Sequence, residues 1–283
     1  MHIKTSAALV LFLVLTACSS APSDLRVTPE EAPYTRSLGR AHAHNDYEHA
    51  RPLFDALDHG FNSVEADVYE LSGELYVAHD PSGIRLERTL RFLYLDPLRK
   101  HIQANGGKVY RDGTQLILLI DAKTLAEPTY AALRTTLADY QDVITVFGPG
   151  TRVKRGPVLA VISGNRARET MAKERVRYAA LDGRLSDLGS SIPAYLMPLI
   201  SDNWDNTFSW QGDGDMPSAE RQKLHNIVEQ ARARGQKVRF WETPDDPGAA
   251  REAVWRELVT ADVDLINTDD LADLAAFLLE NDR

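Results

Sequence analysis

Beyond residue 37 the chain alternates between two hydrophobic periods. Short runs that are apolar at every residue or at every second residue cover 40–44, 61–71, 115–123, 157–163, 177–181, 195–201, 237–243 and 263–269. Runs of this kind read as strands, and an unbroken one such as QLILLIDAK as a strand buried on both faces. Between several of them lie helix-like patterns, at 126–140, 218–234, 247–260 and 271–280, the period of helices packed on one face. Ser72-Gly73 separates 61–71 from another alternating run at 74–80, which is a hairpin signature. Strands alternating with helices imply a parallel sheet. Eight of them predict a single-domain (β/α)8 TIM barrel over 37–283, with a β-hairpin inserted after the second strand. The run DVITVFG at 142–148 is a further strand candidate that this count leaves unassigned.

Composition changes this picture only at the margins. A 43% hydrophobic content in 283 residues supports a substantial core. The net charge of −9 argues against a nucleic-acid surface, because neutralising phosphates takes clustered Lys and Arg. The first 36 residues stand apart. Lys4 precedes an apolar run at 7–16 that is too short to span a bilayer. It ends in LTAC, and this resembles a bacterial lipoprotein signal. The resemblance implies a signal peptide at 1–17, lipidation of Cys18 and a flexible tether at 18–36. It also implies a lipid-anchored protein of the bacterial cell envelope, on the outer membrane facing the periplasm. Cys18 is the only cysteine, so no internal disulfide is available. A monomer is expected.

In a barrel, the chemistry gathers at the C-terminal ends of the strands, so the ionisable residues there matter most. His42 and His44 end the first strand, Glu65 and Asp67 the second, His79-Asp80 the hairpin, and Asp121 and Lys123 the third. Residues two apart on a strand share a face, so each pair can point into one cavity mouth. Three carboxylates brought together are costly without a cation. They are the oxygen ligands that Mg2+ or Ca2+ takes. Two histidines beside them suit general acid and base.

The stretch GFNSVEADVYELSGELYVAHD resembles the glycerophosphodiester phosphodiesterase and phosphatidylinositol-specific phospholipase C superfamily. LLIDAKT resembles its venom sphingomyelinase D branch. HAHNDY followed by RPL, with FWETPDD and LINTDDL, resembles the "altered inheritance of mitochondria" subgroup. The resemblance implies a metal-dependent phosphoric diester hydrolase, or a lyase acting through a cyclic phosphate, on glycerophosphodiesters, phospholipids or related diesters. Carried over residue by residue, Glu65, Asp67 and Asp121 hold the metal. His79 is one catalytic histidine and His42 or His44 the other. His42 is favoured as the acid/base partner, with His44 orienting the phosphate or the loop. The family's His-Arg-Gly is absent, and Asn45, Lys123 or Arg51 are the candidates to replace its arginine. Trp241 is expected to wall the substrate, and Asn165, Asn203 and Trp204 to lie on ligand-contacting loops. Asp182-Gly183 reads as a turn. Two rivals remain: a non-catalytic lipoprotein that binds an anionic ligand, and a zinc amidohydrolase, whose barrel also opens on His-x-His.

Overall fold

The computed structural model describes residues 36–282. In chain order its strands are β1 (Leu38–Ala43), β2 (Phe61–Leu71), β3 (Glu74–Val77), β4 (Leu116–Ala122), β5 (Val146–Phe147), β6 (Val153–Lys154), β7 (Val158–Gly164), β8 (Ala180–Gly183), β9 (Leu199–Asn203), β10 (Lys237–Trp241) and β11 (Leu265–Thr268). Eight of these run parallel in the order β1-β2-β4-β7-β8-β9-β10-β11, and β1 pairs with both β2 and β11, which closes the barrel. β3 is antiparallel to β2 and forms the expected hairpin. The eight-stranded single-domain barrel read from the hydrophobic pattern is therefore the observed fold. The expected signal peptide at 1–17, Cys18, and all but the last residue of the expected tether lie outside the described residues.

The spare candidate at 142–148 supplies only β5, which pairs with β6 in a separate two-stranded sheet. Thr145 does donate its backbone N–H to the Val158 carbonyl, but this stitches the segment to the start of β7 and adds no barrel strand. The helices Ala126–Ala138, Ser218–Arg232, Ala249–Thr260 and Leu271–Asn281 match the expected positions within two residues. The last buries Leu271, Leu274, Ala275, Phe277 and Leu278. Each of these leucines and the phenylalanine contributes about 1.5–3 kcal/mol on burial.

The barrel interior has two layers. Its floor is apolar: Ile117, Leu119, Val161, Leu199 and Leu265 form a cluster of their own, with Leu159 packed against it. Above the floor the buried inward residues are polar, namely His42, Ser63, Glu65, Ser163, Asp182, Ser201, Arg239 and Asn267. Strand register keeps the layers level. Asp67 lies opposite Asp121, and Asp121 opposite Ser163. His42 lies opposite both Asn267 and Ser63. A buried polar layer is stable only if its members satisfy one another, and this one forms the base of the site.

Candidate active site

A cavity of about 470 Å³ opens among residues at the C-terminal ends of the strands. β2 carries Glu65 and Asp67 into it, two residues apart, and β4 carries Asp121. One carboxylate oxygen from each lies within 4.8 Å of the other two. Lys123 sits among them, with Nζ 2.7 Å from Asp121 Oδ2 and 3.0 Å from Asp67 Oδ2. Burial opposes the charge on Lys123, yet Asp121 and Asp67 outweigh it and raise its pKa. Burial and the neighbouring Glu65 push the Asp67 carboxyl up to about 6, with Lys123 pulling the other way. Burial also opposes ionisation of Glu65, but the Arg239 guanidinium and His42 hold its carboxyl well below the usual range.

Among the described residues, Asp67 Oδ1 and Asp121 Oδ1 are buried with no hydrogen-bond donor. Orphaned buried oxygens are costly. Hard oxygen donors at this spacing fit a divalent cation such as Mg2+ or Ca2+, so the residues present suit the metal. The group contains no histidine, so it differs from the His-x-His ligand set of the zinc rival.

The two histidines of RAHAHNDY part company. His42 is completely buried, with Nδ1 2.7 Å from Ser63 Oγ and Nε2 3.1 Å from Glu65 Oε2. Burial, then Arg239, lowers its pKa to about 3. It is not among the residues lining the cavity. His44 lines it. Its Nδ1 lies 2.9 Å from Asp269 Oδ1 and 3.1 Å from Asn45 Nδ2. Burial disfavours its charged form, but Asp269 and Glu65 outweigh that and raise its pKa. His79 lines the same cavity from the end of the hairpin, with Nδ1 3.2 Å from the Tyr47 hydroxyl. That hydroxyl lies 2.7 Å from both Asp67 Oδ2 and Asn45 Oδ1. Asn45 can take this position because it adopts the left-handed region, φ 45°, which Asn tolerates better than most residues.

Other expectations change. Arg51 is turned to the surface, bound to Asp55 and Asp58, and does not line the cavity, so it is corrected as a phosphate-binding candidate. Asp182 and Gly183 are not a turn; they belong to β8, and Asp182 is completely buried. Trp204 is a core residue packed on Phe208 and Phe240, while Asn203 caps the short helix after β9. Asn165 braces the loop after β4 through the carbonyls of Lys123 and Thr124. Trp241 does line the cavity. Residues that the sequence reading missed are Tyr47, Arg184, Arg239 and Asp269. Arg239 left a signal: an arginine inside the apolar run KVRFW, on the same face as Trp241.

A domain family described as "AIM6-like phosphodiesterase domain" matches residues 37–182, more than half of the chain. The chain belongs to this family. A second family, "Glycerophosphoryl diester phosphodiesterase family", matches residues 237–272. The AIM6-like chain is 29% identical to "Altered inheritance of mitochondria protein 6 homolog" of Arthroderma benhamiae, over 81% of each chain. It is 32% identical to "Altered inheritance of mitochondria protein 6" of Eremothecium gossypii, over 85% of this chain and 69% of that one. A crystal structure of a glycerophosphoryl diester phosphodiesterase from Parabacteroides distasonis superposes with a TM-score of 0.51 at 13% identity, covering 86% of this chain and 87% of the other. At that identity the likeness speaks for the fold. The curated relatives are fungal. This overturns the expectation of a lipid-anchored, signal-bearing lipoprotein of the bacterial envelope. Among the described residues no helix is long and apolar enough to cross a membrane.

Proposed function

We propose that this AIM6-like chain is a divalent-cation-dependent phosphoric diester hydrolase in which His44 and His79 exchange the protons. The observation that carries this reading is one cavity holding a carboxylate triad with two histidines, each hydrogen-bonded to a neighbour that can orient it. Glu65, Asp67 and Asp121 hold the cation, Mg2+ or Ca2+. When bound, it neutralises phosphate charge and lowers the pKa of an attacking hydroxyl or water. Asp269 fixes the His44 ring through Nδ1, which leaves Nε2 for proton transfer. Tyr47 does the same for His79. One imidazole takes the proton of the attacking oxygen, and the other gives a proton to the leaving oxygen. A substrate with a neighbouring hydroxyl passes through a cyclic phosphate.

His42 is given a supporting role here, in place of the acid/base role favoured from sequence. A fully buried imidazole with a pKa near 3 neither reaches a substrate nor changes charge near neutral pH. It aligns the Glu65 carboxylate. Asn45, Lys123 and Trp241 remain as substrate contacts. Glycerophosphodiesters are the first substrates to try, given the name of the second matching family.

The test is a panel of phosphodiesters, soluble and lipid, incubated with EDTA-treated and cation-restored protein. Hydrolysis is expected only after restoration. His44→Ala and His79→Ala should each reduce turnover by about 10²–10⁴-fold. His42→Ala should lower the melting temperature and cation affinity together. Full turnover in both His44→Ala and His79→Ala sinks the acid/base reading. Tight diester binding without turnover in restored wild type favours a binding protein instead.

A further inference from the structure

Three cationic side chains line the cavity: Lys123, Arg184 and Arg239. An anionic substrate needs one that still has donors to give. Arg239 is buried and spends its Nε–Nη2 edge on the barrel, since Nη2 lies 2.6 Å from both Glu65 Oε2 and Asn267 Oδ1, and Nε lies 3.0 Å from the same Asn267 oxygen. Lys123 is shared between two carboxylates. Arg184 differs. Its Nη1 donates to Asp182 Oδ2 and to the Gly183 carbonyl, each at 2.8 Å, and Nη2 has one long contact of 3.3 Å to Ser163 Oγ. Nε makes no hydrogen bond among the described residues.

The bracing of this guanidinium is independent of any ligand. Asp182 is completely buried, and Ser163 Oγ donates to the same Asp182 oxygen at 2.8 Å. The Arg184 backbone N–H is held by Asp187 Oδ2 at 2.9 Å. A Cβ at Gly183 would meet Met197 Sδ at 2.5 Å and Ile200 Cδ1 at 2.6 Å, so packing fixes the strand end that carries the arginine. Nη1 is spent on the buried layer, while Nε has no hydrogen bond among the described residues and Nη2 only the long one to Ser163, on a side chain that lines the cavity. A planar fork held this way matches two oxygens of a phosphate. We propose that Arg184 is the oxyanion-binding arm of the cavity, holding non-bridging phosphate oxygens through Nε and Nη2. The inference rests on reading the cavity as a phosphodiester site. It places the phosphate-binding arginine directly after β8, a strand that none of the sequence candidates Asn45, Arg51 and Lys123 follows.

The test uses the full chain with its divalent cation. Calorimetry measures inorganic phosphate binding, and steady-state kinetics on bis(4-nitrophenyl) phosphate give kcat and KM. Arg184→Gln is expected to weaken phosphate binding and raise KM by about 10- to 100-fold, the size of one charge-assisted hydrogen bond, with kcat falling less. Added guanidinium ion at non-denaturing concentration should restore part of the loss. Arg184→Lys, which keeps the charge without the fork, should lie between, and it carries the test if Arg184→Gln does not fold. Arg51→Ala, at the surface, should match wild type throughout. If both Arg184 variants keep wild-type phosphate affinity and KM and lose only melting temperature, Arg184 is a counter-ion to Asp182 and the proposal falls. Unchanged KM for Arg184→Gln in an active enzyme overturns this inference alone. Phosphate bound through Arg184 with no diester hydrolysed upholds it and overturns the catalytic reading.

Discussion

Gly164 ends β7 with φ at 63°, and a Cβ built on it would stand 1.9 Å from Asp121 Oδ1 and 2.5 Å from the Ala122 carbonyl. The carboxylate of a candidate cation ligand thus occupies the space where a side chain would be. Gly164→Ala is expected to cost about 1–3 kcal/mol from backbone strain and also to displace Asp121. Calorimetric titration with Mg2+ and Ca2+ should show weaker binding than wild type, and an unchanged affinity would show that Asp121 does not need this space. At this scale the sequence was informative about residue type and weak on depth. Strand parity put His42 and His44 on the same side, and it was right to do so. Parity carries no information on how far up the barrel each one sits. One residue pair along a strand rises about 6.6 Å, enough to separate a sealed layer from an open mouth. Asp269 and Arg239 were unreadable as partners for a related reason. Their contacts, to His44 and Glu65, span 225 and 174 residues of chain, and no local pattern records such a meeting.

The turn after β1 shows what an element adds to its residues. Asp46 is buried, accepts from the Leu53 N–H at 2.6 Å and the Tyr94 hydroxyl at 2.8 Å through one oxygen, and among the described residues leaves Oδ1 without a donor. Burial raises its pKa from an ordinary 3.8 to about 7. In the unfolded chain it ionises near 3.8, while in the fold it keeps its proton until about 7. The contribution of this group to stability is therefore complete below about 4 and declines as pH rises through 7. Asp46→Asn keeps the acceptor and removes the ionisation. Unfolding free energies from urea titrations between pH 4.5 and 8 are expected to fall for wild type relative to the mutant, on the order of a few kcal/mol in total. Parallel curves would show that Asp46 is ionised in the fold. Element existence was largely legible, since strands buried on both faces are unbroken apolar runs and the long helices have a clear stripe. The helix Asp96–Ala104 was not. Only Leu98 and Ile102 are buried on it, too few to show a period, and a π-helical turn at Arg91–Leu95 runs into it and shifts the phase. β8 was placed early, at 177–181, three residues ahead at its start and two at its end. Its polar end, Asp182-Gly183, looks like a turn to anyone who does not know that the barrel interior is polar at that height.

For the whole molecule, an apolar floor under a polar layer means that the site stands on a packed base instead of on loops. A ligand that binds only the folded barrel stabilises it by mass action, about 2.7 kcal/mol at a hundred times its Kd. Mg2+ or Ca2+ at that excess is expected to raise the melting temperature by roughly 5–10 °C for a chain of this size. The same ion should do nothing for Asp121→Asn, and an equal rise in that variant would remove Asp121 from the ion's ligands. The barrel closes where β1 meets β11, and two contacts of the candidate site span the beginning and the end of the chain. His44 takes its orienting carboxylate from Asp269, and Glu65 takes its buried cation from Arg239. Synthesis proceeds from the N-terminus, so His44 and Glu65 leave the ribosome long before Asp269 and Arg239, which aim the one and neutralise the other. A nascent chain stalled before residue 239 carries the candidate cation ligands and both cavity histidines without these two partners. On the proposed phosphodiesterase reading, turnover requires the completed chain, and a protein cut anywhere between β4 and β10 should be silent until its two halves find each other.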